Sequence, residues 1–177
     1  MRLGLKPPVG IVLFAAVAAG CAAMSGGSGP MAIAKLDPTK GNAAAGTVSF
    51  EQRGSTVLVS GTVSGLAPNL EHGFHVHEKG DCSSGDGVSA GGHFNPLAKG
   101  HGNHMGGGGH AGDMPNIRAD AYGNATFSFS TGGITVGSGA TDIVGRGLIV
   151  HRDPDDYKSQ PAGNAGPRLA CAVIAKS

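Results

Sequence analysis

The sequence has little of the charge and periodicity that mark several large classes of protein. Its 177 residues carry 13 Lys and Arg against 12 Asp and Glu, so it shows no basic excess of the kind that nucleic-acid-binding proteins need. No stretch has the apolar spacing of an amphipathic helix several turns long, which argues against a helical fold. A chain of this length has room for one domain.

An apolar run at residues 9–19 is too short to span a membrane and instead indicates export. Arg2 and Lys6 precede the run, and small residues follow it before Cys21, which predicts a signal peptide at residues 1–20. The four residues ending at Cys21 resemble the lipobox of bacterial lipoproteins, in which the cysteine is lipidated and becomes the mature N-terminus. Cleavage at a nearby small residue without lipidation is the alternative, and both interpretations export the protein.

Residues 21–30 are rich in Gly and Ser without apolar periodicity, which predicts a flexible tether to a domain at residues 31–177. A lipid on Cys21 would hold that domain in the periplasm at the cell membrane or the outer membrane. The lipid would be the only membrane attachment. Loss of Arg2 and Lys6 leaves the mature protein near neutrality.

Cysteine is scarce, with three in the chain. Beyond Cys21 only Cys82 and Cys171 remain, which is the number expected for one disulfide in an oxidising compartment. That bond would close a loop of about 90 residues and stabilise the fold by about 4 to 5 kcal/mol in the chain-entropy model. Two buried free thiols are the alternative, because spacing does not prove a pairing.

Short strand patterns separated by glycine-rich turns dominate the domain, which predicts an all-β barrel or sandwich. Strands are predicted at residues 47–52, 57–59, 73–77, 117–121, 125–129, 147–151 and 168–174. Two segments, residues 78–116 and 152–167, lack β-branched runs, and loops of that length in a compact domain need a function. The first of them carries His93, His101, His104, His110 and Asp113.

Several histidines lie on or at the end of predicted strands, in positions from which they could bind a metal. His75 and His77 stand two apart in a strand pattern, so both imidazoles lie on one face. His151 ends the apolar run at residues 147–150. A single histidine at a strand end is more often a surface or capping residue, so the prediction of a metal site depends on the whole combination.

That combination resembles the copper-zinc superoxide dismutase family over essentially all of residues 31–177. The motifs are GFHVHE at 73–78 and GHFNP at 92–96, then His101, His110 and Asp113 at spacings of eight, nine and three. GRG at 145–147 leads to His151, and GNAGPRLAC follows at 163–171. The resemblance implies a Greek-key barrel of about eight antiparallel strands with two long functional loops.

The same resemblance implies a copper site of His75, His77, His93 and His151, and a zinc site of His93, His101, His110 and Asp113. Four imidazoles suit Cu(II), and three imidazoles with one carboxylate suit a closed tetrahedral Zn(II) site. His93 would bridge the metals as an imidazolate. The implied activity is dismutation of superoxide to oxygen and hydrogen peroxide at a redox-cycling copper, with zinc structural, which would protect the cell envelope.

Further residues take roles only through the resemblance. Arg168 matches the family's active-site arginine, and His93 could return a proton during turnover, so these two are the predicted catalytic residues. Asp155 matches an aspartate that hydrogen-bonds a copper histidine and a zinc histidine, here His75 and His101; a solvated acidic run is its alternative. Cys82 and Cys171 occupy the family's disulfide positions.

Two histidines remain outside both predicted sites. His72 is expected to hydrogen-bond to the backbone, and His104 is expected to be exposed, with metal recruitment as its alternative. Three competing functions are a copper-delivery module, a zinc hydrolase and a structural lipoprotein; the hydrolase is disfavoured because its zinc needs an open position. The sequence predicts a monomer or a homodimer without choosing between them.

Overall fold

A computed structural model describes residues 1, 4, 29–104 and 107–177 of the chain. The predicted cleavage region with Cys21, most of the predicted signal peptide and most of the tether lie outside the described residues. In the part of the chain that is described, no helix is both long enough and apolar enough to cross a membrane.

The described residues form short strands. These are β1 Met31–Pro38, β2 Ala45–Arg53, β3 Thr56–Ser64, β4 Glu71–His72, β5 Phe74–His77, β6 Ile117–Arg118, β7 Ala125–Thr131, β8 Gly147–His151, β9 Arg168–Val173 and β10 Ala175–Lys176. A short 3₁₀ helix covers Val88–Ala90. The predicted all-β class is confirmed.

All strand pairs are antiparallel, and the main sheet runs in the order β5-β8-β9-β1-β2-β3-β7, with β10 beside β1. A small second sheet pairs β4 with β6. The sheet curls around the main hydrophobic core, to which alternate residues of the longer strands contribute, as the period of two requires. In β1, for example, Ala32, Ala34 and Leu36 are buried while their neighbours are exposed.

The two long loops lie where the sequence predicts them. The first loop, residues 78–116, joins β5 to β6, and the second loop, residues 152–167, joins β8 to β9. The strand prediction at 117–121 is too long, because Asp120 already forms a turn, its side chain accepting hydrogen bonds from Tyr122 N and Asn124 N. Strand β1 was not predicted, although its buried residues alternate. The short strands β4 and β10 were not predicted either, since two residues are too few to show a period.

Strand β5 is buried on both faces, and this places the candidate site. Phe74 and Val76 face the hydrophobic core, so His75 and His77 point to the opposite side of the strand. On that side the two long loops cover them. Two of the four buried residues of β5 therefore pack in the core, and the other two are available to bind a metal.

Candidate metal centre

The free edge of β5 is covered by the first loop, which brings its histidines to the site. Val76 N donates to Gly112 O at 3.0 Å, and Phe94 N donates to Val76 O at 2.8 Å. His93 lies opposite His77, and Asp113 lies opposite His75, as isolated bridges. The edge groups of β5 are thus paired, and loop residues enter the site in strand-like register.

Four histidines, which we call the four-histidine set, converge above β5 and are all buried: His75, His77, His93 and His151. One nitrogen from each ring lies within 4.8 Å of the others. His75 and His77 come from β5, His151 from the end of the neighbouring β8, and His93 from the first loop. The Nε2 atoms of His77 and His151 are 3.4 Å apart.

A second group, the carboxylate set, shares one ring with the first and consists of His93, His101, His110 and Asp113. Asp113 is its centre, with carboxylate oxygens 2.8 Å from His93 Nδ1, 3.1 Å from His101 Nδ1 and 3.4 Å from His110 Nδ1. Ligands held about 2.0 to 2.1 Å from one zinc ion stand about 3.3 Å apart in a tetrahedron. The donor spacing of this set therefore fits zinc.

His93 belongs to both sets through different nitrogens. Its Nδ1 faces Asp113 Oδ1, whereas its Nε2 is buried without a hydrogen-bond partner. The ring centroid lies 4.0 Å from that of His75 and 5.3 Å from that of His101. The ring therefore joins the two groups, as a bridging ligand must.

The remaining nitrogens of the rings are held by the protein, which fixes the tautomers. His77 and His151 donate from Nδ1 to the carbonyls of Gly91 and Gly166, each at 3.0 Å. A proton on Nδ1 leaves the Nε2 lone pair free for a metal. Both free lone pairs belong to the four-histidine set.

Asp155 fixes two more rings, one in each set. Its Oδ2 accepts from His75 Nε2 at 2.8 Å, and its Oδ1 accepts from His101 Nε2 at 3.0 Å. The carboxylate is fully buried and also accepts from Tyr157 N at 2.7 Å. It lies where the resemblance implied, and it leaves Nδ1 of His75 and of His101 free to bind metal.

Burial keeps His75, His77 and His151 neutral. Desolvation, followed by the nearby histidines, lowers the pKa of His75 and of His77 well below the ordinary value, and burial lowers the pKa of His151 to about 4. For Asp113, burial acts to raise the pKa, but the His93 hydrogen bond and the adjacent histidines outweigh it and lower the pKa. Neutral rings beside an ionised carboxylate are the protonation states that bind divalent metals.

The donors pass a further test of fit to metal ions. Nδ1 of His75, His101 and His110 and Nε2 of His93 are buried nitrogens with no hydrogen-bond partner. Unpaired buried polar atoms are costly and rare unless something unseen satisfies them. These nitrogens face one another in two groups, so two cations would satisfy them.

Arg168 lies at the rim of a cleft of about 230 Å³ that opens onto the four-histidine set. His77, His93 and His151 also line this Arg168 cleft. The guanidinium donates to Gly87 O and, at 2.6 Å, to Gly91 O, both in the first loop. Burial lowers the pKa of the guanidinium below its ordinary value, yet arginine remains a cation at neutral pH. A small anion entering the cleft meets this fixed charge beside the histidines.

The predicted disulfide between Cys82 and Cys171 is confirmed. It ties the first loop to β9, and the half-cystines pack with Ala90 and Ile149 in a small second core. The part of the first loop that follows Cys82 contains the carbonyls of residues 87 and 91, which accept hydrogen bonds from Arg168.

The predictions for the two other histidines have different outcomes. His72 Nδ1 donates to His151 O at 2.9 Å, the backbone contact that was expected. His104 joins neither set. The expectation that it is exposed is wrong, because its ring is partly buried and lies 5.8 Å from the ring of Tyr157.

Sequence reasoning missed the residues that hold this site through backbone groups. Thr39 Oγ1 donates to Arg168 O at 2.7 Å, and Gln160 bonds to the main chain of His101. Neither belongs to a spacing pattern, so only the fold could reveal them.

An antiparallel β-barrel with joined four-histidine and carboxylate sets defines a two-metal β-barrel metalloprotein. The family model for copper/zinc superoxide dismutase matches residues 44–174, and the chain belongs to that family. Copper and zinc are the cofactors of the family, and the two donor sets suit them.

Individual relatives agree. Superoxide dismutase [Cu-Zn] 1 of Aquifex aeolicus is 45% identical over 133 residues, which cover 73% of this chain and 79% of that protein. The extracellular superoxide dismutase [Cu-Zn] of Caenorhabditis elegans is 43% identical over 135 residues, covering 73% of this chain and 60% of the relative. The crystal structure of the clock protein EA4 superposes with a TM-score of 0.75 at 40% identity, covering 82% of this chain and 93% of that one.

Proposed function

We propose that this protein is an exported copper- and zinc-dependent superoxide dismutase that converts superoxide to oxygen and hydrogen peroxide. The four-histidine set holds copper, and the carboxylate set holds zinc. The observation that carries the proposal is His93, whose two nitrogens face the two sets, beside a cleft whose rim holds Arg168. Bound copper supplies the one-electron redox chemistry, and bound zinc supplies charge and order.

Arg168 orients the anion. Two of its N–H groups are used by the carbonyls of Gly87 and Gly91, so the guanidinium is held in one position. Its other donors can hydrogen-bond a small oxyanion without prior rearrangement of the side chain. The cation also attracts superoxide electrostatically, an effect for which superoxide dismutase is itself a standard example.

His93 is the residue placed to handle a proton. Its ring lines the Arg168 cleft, and Nε2 has no hydrogen-bond partner in the protein. The ring can therefore hold a proton at Nε2 whenever that atom is not a ligand, next to the space an anion would enter. Nδ1 stays engaged with Asp113 meanwhile, which preserves the ring orientation.

The assignment is tested by metal analysis together with a superoxide-consumption assay on wild type, His151→Ala and the control His104→Ala. His151 belongs to the four-histidine set, whereas His104 belongs to neither. We expect His151→Ala to lose copper and nearly all activity while keeping zinc, and His104→Ala to match wild type. Equal activity in all three proteins would refute the copper assignment.

We also place the protein in the periplasm, anchored by a lipid on Cys21, where it protects the cell envelope from superoxide. The signal-like run before Cys21 supports this placement, and one relative is named an extracellular enzyme. Labelling of cells with a radioactive fatty acid should mark the wild-type protein and not Cys21→Ser. An unlabelled wild type recovered in the soluble periplasmic fraction would contradict the anchor.

A further inference from the structure

Gln160 in the second loop pairs with both main-chain groups of a single residue in the first loop. Its Oε1 accepts from His101 N at 2.9 Å, and its Nε2 donates to His101 O at 2.8 Å. The side-chain amide therefore binds His101 as a neighbouring β-strand would, with one donor and one acceptor. His101 lies in a stretch of the first loop that has no strand partner.

This contact completes the fixing of the His101 side chain. Asp155 holds the ring at Nε2, which controls its tautomer and rotation. Gln160 holds the backbone from which the ring projects, so the Nδ1 atom has little freedom relative to Asp113, 3.1 Å away. Both holding residues belong to the second loop, whereas His101 and Asp113 belong to the first.

Gln160 also contributes to the substrate side of the molecule. Together with Pro161 and Ala162 it lines the Arg168 cleft, which the first-loop residues Gly92 and His93 also line. One side chain thus belongs to the cleft wall and bonds to a residue of the carboxylate set.

We propose that Gln160 is a positioning residue for zinc, which holds His101 in its binding geometry and couples the cleft wall to the carboxylate set. The proposal rests on the assignment of zinc to that set. Because the Gln160 side chain is otherwise solvent-exposed, its replacement removes the two hydrogen bonds to His101, a longer one of 3.5 Å to Lys158 O, and little apolar burial. Its variants should fold, and their defect should be specific to zinc.

The experiment measures metal release from the loaded protein to a coloured chelator, for wild type, Gln160→Met, Gln160→Glu and the control Lys158→Met. Methionine has the length of glutamine but neither hydrogen-bonding group. Glutamate keeps an acceptor for His101 N–H and loses the donor. Lys158 is exposed in the same loop, and no side-chain hydrogen bond joins it to the first loop among the described contacts.

We expect Gln160→Met to release zinc about tenfold faster than wild type, the size expected for two net hydrogen bonds to a partly exposed amide. Gln160→Glu should fall between them, and Lys158→Met should match wild type. Copper release should change less than zinc release in every variant. The absorption spectrum of protein loaded with Co²⁺ in place of zinc should shift in Gln160→Met, since that spectrum reports the ligand geometry.

Two results would overturn the inference. Zinc release and a Co²⁺ spectrum in Gln160→Met equal to those of wild type would show that the contact does not position His101. Zinc and copper released faster by the same factor would show general loosening of the loops. A wild-type protein that takes up no zinc would instead refute the metal assignment itself, so the two failures are distinguishable.

Discussion

Replacement of Asp155 by asparagine should weaken copper binding more than zinc binding, although the residue touches one histidine of each set. The carboxylate accepts three hydrogen bonds, from Tyr157 N and His101 Nε2 at Oδ1 and from His75 Nε2 at Oδ2. An asparagine has one oxygen and one NH₂ group, so it can replace only one of these two acceptor atoms.

The surroundings decide the orientation of the new amide. If its NH₂ group took the place of Oδ1, it would face two donors, Tyr157 N–H and His101 Nε2–H. If it took the place of Oδ2, it would face one donor, His75 Nε2–H. The second orientation is therefore favoured, because each pair of buried donors left facing one another costs about 1 to 3 kcal/mol.

In that orientation His75 relieves the conflict by changing tautomer. Its proton moves from Nε2 to Nδ1, so that Nε2 accepts from the amide and Nδ1 no longer offers a lone pair. Nδ1 is the buried, unpaired nitrogen of His75 that faces the four-histidine set. Copper must then restore the former tautomer in order to bind, and loss of such an outer hydrogen-bond partner typically reduces metal affinity by about 10- to 100-fold.

The assay is competitive titration of copper and of zinc against chelators of known affinity, for wild type, Asp155→Asn and Asp153→Asn. Asp153 makes the same charge change nearby, but its carboxylate pairs with Arg152 at the surface and touches neither set. We expect Asp155→Asn to bind copper about 10- to 100-fold more weakly and zinc only a few-fold more weakly. Equal losses for both metals, or a larger loss for zinc, would refute the tautomer argument.

Two other predictions concern the stability of the protein at low pH and the substitution of a glycine. In the metal-free protein the folded-state pKa of His151 is about 4, below the unfolded value of 6.5, so the unfolded chain takes up its proton first as the pH falls. Its free energy of unfolding should therefore drop between pH 6.5 and 4, by about 3 kcal/mol from this residue alone, and urea midpoints that do not change across that range would contradict this. Gly163→Ala should lower copper and zinc content, since a Cβ there would lie 1.8 Å from Asp155 Oδ1 and 2.7 Å from His101 Nε2. The control Gly54→Ala also has a positive φ, but its Cβ would have nothing within 4 Å, so it should lose about 1 to 2 kcal/mol of stability and keep its metals, whereas Gly163→Ala should lose more. Normal metal content in both variants would show that the close approach of residue 163 is unimportant.

Much of the fold could be predicted because its signals are local. The alternation of Val48 and Phe50 follows from the period of a strand, and the glycine-rich segments follow from turn geometry. The loop limits at residues 78–116 and 152–167 were predicted because strand patterns end there. The order of strands in the sheet was not predicted, since pairing of β1 with β9, far apart in the chain, leaves no local trace.

The candidate metal centre could likewise be predicted from the sequence only in part. The spacing of the histidines at residues 75 and 77 and along the first loop is chemically specific, and with the family resemblance of the motifs around them the sequence by itself determined which residues are candidate ligands. It also determined that two cysteines were available for one disulfide.

Only the tertiary structure decided how those ligands are held. Every residue has a carbonyl, so no pattern could show that Gly87 and Gly91 hold Arg168, or that Gln160 binds the main chain of His101. Likewise, only the placement of the second loop against the first brings Asp155 between His75 and His101. The identity of a metal ligand depends on its side chain, whereas its orientation depends on backbone and loop contacts that arise only when distant segments pack together.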